Sequence, residues 1–129
     1  MIETIIVADD SPTARMIIKR CLEIAGCSHA KILEAGDGAE ALELAKTNQV
    51  DLLVTDLNMP NMDGSALLQH VKASPKLNRL PVLVISSTSN EANKAELKKK
   101  GAFAVLGKPI SPALVATVIQ NLTEQIQWS

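Results

Sequence analysis

Short runs of apolar residues recur along the chain and alternate with longer amphipathic segments. The continuous runs are typical of strands buried on both faces of a parallel sheet; they are Thr4–Ala8, Leu52–Thr55, Val82–Ile85 and Ala104–Gly107. A further strand is predicted at about Lys31–Ala35. The segments that follow the strands predict helices at about Pro12–Ala25, Gly38–Lys46, Gly64–Ser74, Glu91–Lys100 and Pro112–Gln127.

Capping residues mark several of the predicted helix ends. Ser11 precedes Pro12 and is an N-cap candidate, and Gly26 is placed to end the first helix. Asp37 is predicted to cap the second helix, with Glu40 at the spacing of a capping box. Ser111 is the corresponding N-cap of the last helix.

A strand followed by a helix occurs five times in succession. Strand–helix–strand units build a right-handed parallel sheet with helices on both faces. Five units are too few for an eight-stranded barrel. The predicted fold is therefore a doubly wound α/β, flavodoxin-like parallel sheet of five strands in the order 2-1-3-4-5.

Polar residues follow the apolar runs at the points where the predicted strands end. They are Asp9, Asp10, Asp56, Ser86 and Lys108. Parallel strands present their carboxyl ends at one edge of a sheet, where ligands of open α/β folds bind. Two carboxylates in close contact repel each other by roughly 4 kcal/mol at an effective dielectric constant of 20. A hard divalent cation relieves that repulsion, and Mg²⁺ suits a site with few carboxylates and several waters.

This set of side chains could carry out phosphoryl transfer. Asp56 is the candidate nucleophile, because a carboxylate can form a mixed anhydride with a phosphoryl group. Lys108 and the Ser86 hydroxyl could each bind a phosphoryl oxygen, and backbone N–H groups of residues 57–59 could complete the cradle. Taken singly, each residue also has a purely structural explanation as a turn, cap, loop or surface residue. The coincidence of four such placements at separate strand ends favours a common site.

Composition limits the other possibilities. The chain has 129 residues, of which 47% are hydrophobic, and we expect one domain spanning residues 1–129. The formal net charge of −1 does not suggest nucleic-acid binding, which would need a basic face, and no apolar stretch reaches the roughly 18 residues of a membrane span. The N-terminus lacks the features of a signal peptide, so a cytoplasmic location is expected. Cys21 and Cys27 are predicted to be buried or half-buried reduced thiols.

The motifs, taken together, resemble the receiver domain of bacterial response regulators along nearly the whole chain. The resemblance is carried by the pair Asp9 and Asp10, the segment 56–64 (DLNMPNMDG), Ser86, and Lys108 with Pro109. The segment 58–64 is especially similar to stand-alone chemotaxis receivers of the CheY type.

The resemblance implies a role for each matching residue. Asp56 would be the phospho-acceptor; Asp10, Asp56 and the backbone carbonyl of Asn58 would bind Mg²⁺ directly, and Asp9 would act mostly through water. Lys108 would contact the phosphoryl group, with a cis peptide bond to Pro109. Ser86 would be the switch hydroxyl.

The chain departs from the family pattern at two positions. Val105 stands where receivers usually have Tyr or Phe, and Phe103 is expected on the same strand face by alternation. Thr88 stands where many chemotaxis receivers have an acidic residue.

The predicted function is that of a receiver without an output domain, phosphorylated on Asp56 by a sensor histidine kinase or a phosphotransfer protein. It would switch the binding of a target protein through helix 4, strand 5 and helix 5, in chemotaxis or a related pathway. We expect a monomer that catalyses only its own phosphorylation and dephosphorylation. The alternatives are a phosphorelay shuttle or phosphate sink, a pseudo-receiver that is not phosphorylated, and an aspartyl phosphohydrolase. The last is disfavoured because Asn58 replaces the second aspartate that such enzymes carry.

Overall fold

Parallel strands form the centre of the molecule. A computed structural model describes residues 2–87 and 90–128. Within these ranges, five strands form one parallel sheet in the order β2-β1-β3-β4-β5, which confirms the predicted flavodoxin-like fold. The strands are β1 (Thr4–Ala8), β2 (Lys31–Ala35), β3 (Leu52–Asp56), β4 (Val82–Ser86) and β5 (Ala104–Gly107). The helices are α1 (Pro12–Leu22), α2 (Gly38–Thr47), α3 (Gly64–Ala73), α4 (Glu91–Lys99) and α5 (Pro112–Trp128).

Helices cover both faces of the sheet and bury its side chains in two layers. Ile5 and Val7 of β1 belong to the layer formed with α1 and α5. Ile6 and Ala8 belong to the opposite layer, with side chains of α2, α3 and α4. Successive residues of a strand point to opposite faces, so a strand buried on both faces is apolar throughout. This explains why the sequence pattern of the inner strands is continuous rather than alternating.

The end of α1 is less regular than the sequence predicts. Regular α-helix stops at Leu22, and the chain continues through a wider π-type turn at Glu23–Cys27. Gly26 lies inside that turn with φ of 107°, a left-handed conformation that glycine adopts without a steric penalty. The prediction that the helix continues to Ala25 and ends at Gly26 is therefore wrong: the regular α-helix ends four residues before Gly26, and Gly26 interrupts the π-type turn.

The cap of α2 matches half of the predicted capping box. The Asp37 carboxylate accepts a hydrogen bond from the Glu40 N–H at 2.8 Å, as expected. The Glu40 carboxylate, however, accepts a long hydrogen bond from the N–H of Gly36 at 3.5 Å, one residue before the N-cap. Ser11 caps α1 as predicted and accepts from the N–H of Ala14 at 3.2 Å.

Phe103 does not share a strand face with Val105, so the prediction from alternation is wrong. Val105 is buried in the layer with α2, α3 and α4, whereas Phe103 packs against the layer with α1 and α5. Phe103 lies at a bend just before β5, and Ala104 packs on the same side as Phe103. Alternation of side chains holds only inside an extended strand.

Both cysteines are buried and unpaired, as predicted. Cys21 and Cys27 lie in the layer between the sheet and α1. Burial raises the pKa of each thiol, because the thiolate is poorly solvated there. Among the described residues, no helix has the length and apolar character needed to cross a membrane.

Candidate functional site

The strand register brings the predicted site residues to one edge of the sheet. Ala8 pairs with Thr55, so the residues that follow β1 lie beside Asp56 at the end of β3. Asp56 pairs with Ile85, and Ser86 pairs with Gly107, immediately before Lys108. Four separate chain segments therefore converge where the sequence predicted.

Three carboxylates form an acidic cluster at this edge. One oxygen each of Asp9, Asp10 and Asp56 can be chosen so that all lie within 4.8 Å of one another. Asp9 and Asp56 are buried, with 1% and 6% of their surface exposed, whereas Asp10 is exposed. The cluster is thus open to solvent on the Asp10 side.

The Lys108 side chain crosses the edge of the sheet and bridges two of these carboxylates. Its Nζ lies 3.1 Å from Asp56 Oδ1 and 3.5 Å from Asp9 Oδ2. Burial by itself would lower the pKa of Lys108, but the adjacent Asp56 and Asp9 carboxylates outweigh it and raise the pKa above its ordinary value. The lysine is therefore a fixed positive charge beside Asp56 at neutral pH.

Burial also acts on Asp56. It raises the pKa of the Asp56 carboxyl group, and the nearby Asp9 carboxylate acts in the same direction. The hydrogen bond from Lys108 works against this rise without cancelling it. Asp56 is thus a carboxylate whose charge is only partly compensated, a site to which a cation would be attracted.

The backbone around Asp56 is held by hydrogen bonds and close contacts. The buried Thr55 hydroxyl donates to the Asp56 carbonyl at 2.9 Å. The Leu57 N–H donates to the Ile85 carbonyl at 3.0 Å, and the Gly64 N–H donates to the Leu57 carbonyl at 2.8 Å.

Gly64 does more than begin α3, which was its expected role. A Cβ atom at position 64 would overlap the Asp56 carbonyl oxygen and would lie 3.0 Å from the Leu57 Cα. The glycine therefore allows the start of α3 to lie directly against the backbone of Asp56.

The segment between β3 and α3 is shaped by Asn61 and Asp37. Asn61 has φ of 66°, a left-handed conformation that asparagine tolerates better than most residues. Its side-chain amide donates to the Asp37 carboxylate at 2.8 Å, which ties this segment to the start of α2. Asn58 is exposed in the same segment, next to the acidic cluster in sequence.

Ser86 is fully buried at the end of β4, between β3, which ends at Asp56, and β5, which Lys108 follows. Its carbonyl accepts a hydrogen bond from the Lys108 N–H at 3.0 Å. The Lys108–Pro109 peptide bond is cis, as the family resemblance implied. Thr88 lies outside the described residues.

The sequence did not reveal the role of Arg15 and Glu34, which together hold the backbone carbonyl of Asp9 next to the acidic cluster. The Arg15 Nη1 donates to the Asp9 carbonyl at 2.6 Å, and its Nε donates to the Glu34 carboxylate at 2.9 Å. The sequence showed only that Arg15 is the fourth residue of the predicted first helix, which indicates nothing about its contacts with Asp9 and Glu34.

The donor set fits Mg²⁺. A magnesium ion bonds oxygen at about 2.1 Å in octahedral geometry, so neighbouring ligand oxygens lie about 3 Å apart and opposite ones about 4 Å apart. The acidic oxygens, which lie within 4.8 Å of one another, would move closer together to reach these spacings. Lys108 lies on the Asp9 and Asp56 side of the cluster, and the exposed Asp10 side is open to hydrating water.

Comparison with known proteins matches this chain to receiver domains and to chemotaxis proteins. Residues 5–120 match the sequence profile of the response regulator receiver domain. The chemotaxis protein CheY of Pseudomonas aeruginosa is 34% identical, over 95% of this chain and 97% of its own length. CheY-3 of Vibrio cholerae is 33% identical, over 95% of this chain and 92% of its own length. The receiver domain of the Francisella response regulator 1452 superimposes with a TM-score of 0.83 at 30% identity, covering 96% of this chain and 98% of that one.

Proposed function

The chain belongs to the response regulator receiver family, and we propose that it is a signalling switch phosphorylated on Asp56. The phosphoryl donor is a phosphohistidine on a sensor kinase or a phosphotransfer protein. The reaction requires Mg²⁺. The phosphorylated form then changes its affinity for a target protein.

The observation that carries this proposal is the placement of Lys108 against Asp56. An ammonium group 3.1 Å from the acceptor oxygen can stabilise the negative charge on the oxygens of an incoming phosphoryl group. Asp9 and Asp10 lie close enough to share a cation with Asp56. An aspartyl phosphohydrolase would carry a second aspartate two residues after the nucleophile as its acid–base residue, and Asn58 at that position supplies only an amide and a carbonyl.

The transfer exchanges one bond to phosphorus for another. An Asp56 carboxylate oxygen forms a new bond to phosphorus as the bond from phosphorus to the histidine nitrogen breaks, and that nitrogen keeps the electron pair. Hydrolysis later returns the carboxylate and inorganic phosphate. Little covalent chemistry is required of the protein, so the positions of Asp56 and Lys108 account for most of its contribution.

Asp10, Asp56 and the Asn58 carbonyl would hold the Mg²⁺ directly, with Asp9 acting through water. Bound there, the ion offsets the negative charge that builds up on the phosphoryl oxygens. The protein's own contribution is to hold the Asp9 and Asp56 carboxylates in a buried, preformed arrangement. Lys108, whose Nζ lies 3.1 Å from Asp56 Oδ1, would bind another phosphoryl oxygen.

The output face of the switch is formed by α4, β5 and α5. Leu97 is the one buried residue of α4 among Glu91–Lys99, so this helix is held to the body by few apolar contacts. A shift of the Ser86 hydroxyl toward the phosphoryl group would displace the chain that leads into α4. Val105 is buried at the position of the usual aromatic residue, so the output of this chain relies on Ser86 and α4 without a rotating ring.

The donor protein docks on α1 and the start of α5. Among the side chains that the structure describes, all of the exposed large hydrophobic residues lie on α1, its π-type extension and α5: Met16, Ile17, Ile24 and Leu114. Ile17 also lines a cavity of about 370 Å³ together with Lys108 and Pro109. The Ile17 end of this apolar surface borders the acceptor site, where a donor helix carrying the phosphohistidine must approach.

Both curated relatives named above are chemotaxis proteins, which favours chemotaxis or a related pathway for this chain. A role as a phosphorelay shuttle uses the same acceptor chemistry and differs only in where the phosphoryl group goes next.

The proposal is tested by intact mass after incubation with acetyl phosphate. We expect a gain of one phosphoryl group that requires Mg²⁺ and is absent from Asp56→Asn. Asp63→Asn is the matched control, because Asp63 is exposed in the same segment and asparagine can replace it as the N-cap of α3. Absence of a mass gain at every Mg²⁺ concentration would leave the pseudo-receiver as the better explanation.

A further inference from the structure

Arg15 connects α1, on which it lies, with Glu34 of β2 and with Asp9, the residue that follows β1. Its side chain projects from α1 and is only 18% exposed. The guanidinium donates through Nη1 to the carbonyl of Asp9 at 2.6 Å, and through Nε to the Glu34 carboxylate of β2 at 2.9 Å. A planar guanidinium held by two acceptors has little freedom to rotate, unlike a lysine ammonium group.

The contact with Arg15 completes the set of bonds that holds Asp9. The Asp9 N–H donates to the Ala35 carbonyl at 3.0 Å, and Asp9 Oδ1 accepts from the Ser11 N–H at 2.9 Å. With its carbonyl held by Arg15, the residue is bound through its backbone on both sides and through its side chain. Because the peptide unit between Asp9 and Asp10 is planar, fixing that carbonyl also fixes the direction in which Asp10 leaves it.

Glu34 holds the other end of the guanidinium. Arg15 and Lys19 each bind one of its carboxylate oxygens, at 2.9 Å and 3.3 Å. The Arg15 hydrogen bond is the main cause that lowers the pKa of Glu34, with Lys19 adding to it, so Glu34 is ionised at neutral pH. Neither Glu34 nor Arg15 belongs to the acidic cluster itself.

We propose that Arg15 is a positioning residue for the cation site, which sets the affinity for Mg²⁺ by fixing the Asp9–Asp10 peptide, with Glu34 as its anchor. This inference rests on the proposed function, since it requires that the acidic cluster bind Mg²⁺. Outer residues that orient metal ligands typically change metal affinity by about 10- to 100-fold when they are removed.

Simple electrostatics makes the opposite prediction for Arg15. Removing a positive charge near three carboxylates should strengthen the binding of a cation, and removing the negative Glu34 should weaken it. A positioning role predicts that both substitutions weaken Mg²⁺ binding, because each breaks the Arg15–Glu34 contact that keeps the guanidinium on the Asp9 carbonyl. The sign of the Arg15 effect therefore separates the two explanations.

The test is the dissociation constant for Mg²⁺, measured by calorimetry on the full chain. We expect Arg15→Ala to weaken binding about 10-fold. Glu34→Ala should weaken it less, and the double variant should bind no more weakly than Arg15→Ala, because the two residues act through one contact. Arg15→Lys keeps the charge but not the two-pronged contact, so it should also bind more weakly than the wild type.

Arg20→Ala is the matched control. It removes the same charge from the same helix, but Arg20 is 74% exposed and, among the residues that the structure describes, its one ion pair is with Glu23 at 3.7 Å. Its Mg²⁺ affinity should equal that of the wild type. The unfolding free energy of each variant is measured as well, because a merely structural role would lower stability without changing the affinity of the folded protein.

An Arg15→Ala variant that binds Mg²⁺ as tightly as the wild type, or more tightly, would overturn the inference and leave the proposed function intact. Additive effects of opposite sign on the Mg²⁺ affinity for Arg15→Ala and Glu34→Ala would also overturn the inference and leave the proposed function intact. A wild-type protein that binds no Mg²⁺ would overturn the proposed function together with the inference.

Discussion

Asp56 carries its charge at a position where only 6% of the residue is exposed. A buried carboxylate beside Asp9 costs folding free energy unless a cation compensates it, and Lys108 is shared between both acids. The residue that receives the phosphoryl group in the proposed function is therefore a source of instability in the metal-free protein.

Asp56→Asn should stabilise the protein in the absence of Mg²⁺, because it removes a poorly solvated charge and leaves Lys108 paired with Asp9. We expect a gain on the order of 1 kcal/mol, the usual size of a single-site effect. Mg²⁺ at 100 times its dissociation constant should then stabilise the wild type by about 2.7 kcal/mol and the variant much less. Denaturant unfolding with and without Mg²⁺ measures both effects.

The stability gained by Asp56→Asn should depend on pH with a defined sign. Because the pKa of Asp56 is raised in the folded state, ionisation costs stability as the pH rises from the ordinary aspartate pKa through the raised value. The advantage of Asp56→Asn should grow across that interval and then stay constant. At Asp37 the Glu40 N–H lowers the pKa, so Asp37→Asn should show no such gain. A metal-free Asp56→Asn protein that is less stable than the wild type at neutral pH would contradict this account.

Gly64→Ala should distort the acceptor segment. The added methyl group would overlap the Asp56 carbonyl oxygen, and backbone atoms cannot move aside as a flexible side chain can. We expect a loss of roughly 1–3 kcal/mol in the free energy of unfolding, the usual cost of overpacking. Gly36→Ala is the control, since its Cβ would meet only the Glu40 carboxylate at 3.9 Å. Equal stability of the two variants would show that Gly64 serves only to begin α3.

At the level of the helices, α1 connects the acceptor site with an exposed apolar surface. It begins at the acidic cluster and extends away from it, so that Ile17 lies near Lys108 while Ile24 lies in the π-type extension of α1, roughly 10 Å further along. Both isoleucines are exposed, at 52% and 58%. They offer a matched pair for testing where a phosphoryl donor docks.

Ile17→Ser should slow phosphoryl transfer from a phosphohistidine protein by about 10-fold, because burial of an exposed isoleucine contributes roughly 1.5–3 kcal/mol at an interface. The rate with acetyl phosphate should stay unchanged, since a small donor needs no docking surface. Ile24→Ser should leave both rates unchanged. A similar slowing by both substitutions, or slowing with acetyl phosphate, would exclude a docking role for the Ile17 end of α1.

Considered as a whole, the molecule could be predicted from its sequence wherever one local pattern decides the structure. Lys108 and Asp56 were found because each follows an apolar run, and a parallel sheet brings such ends together. Phe103 was misplaced because a bend before β5 interrupts the alternation. Arg15 and Gly64 were not recognised because their importance arises from contacts with the Asp9 and Asp56 carbonyls, which depend on how the chain folds after β1 and β3 and leave no pattern in the sequence.

The central claim is that Asp56, and not one of its acidic neighbours, accepts the phosphoryl group. Borohydride reduces an aspartyl phosphate to homoserine and leaves free carboxylates unchanged, so peptide mass spectrometry of the phosphorylated, reduced protein identifies the acceptor. We predict homoserine at position 56 alone, in an amount that depends on Mg²⁺ during phosphorylation. Homoserine at position 9 or 10, or phosphorylation without any homoserine, would contradict the account.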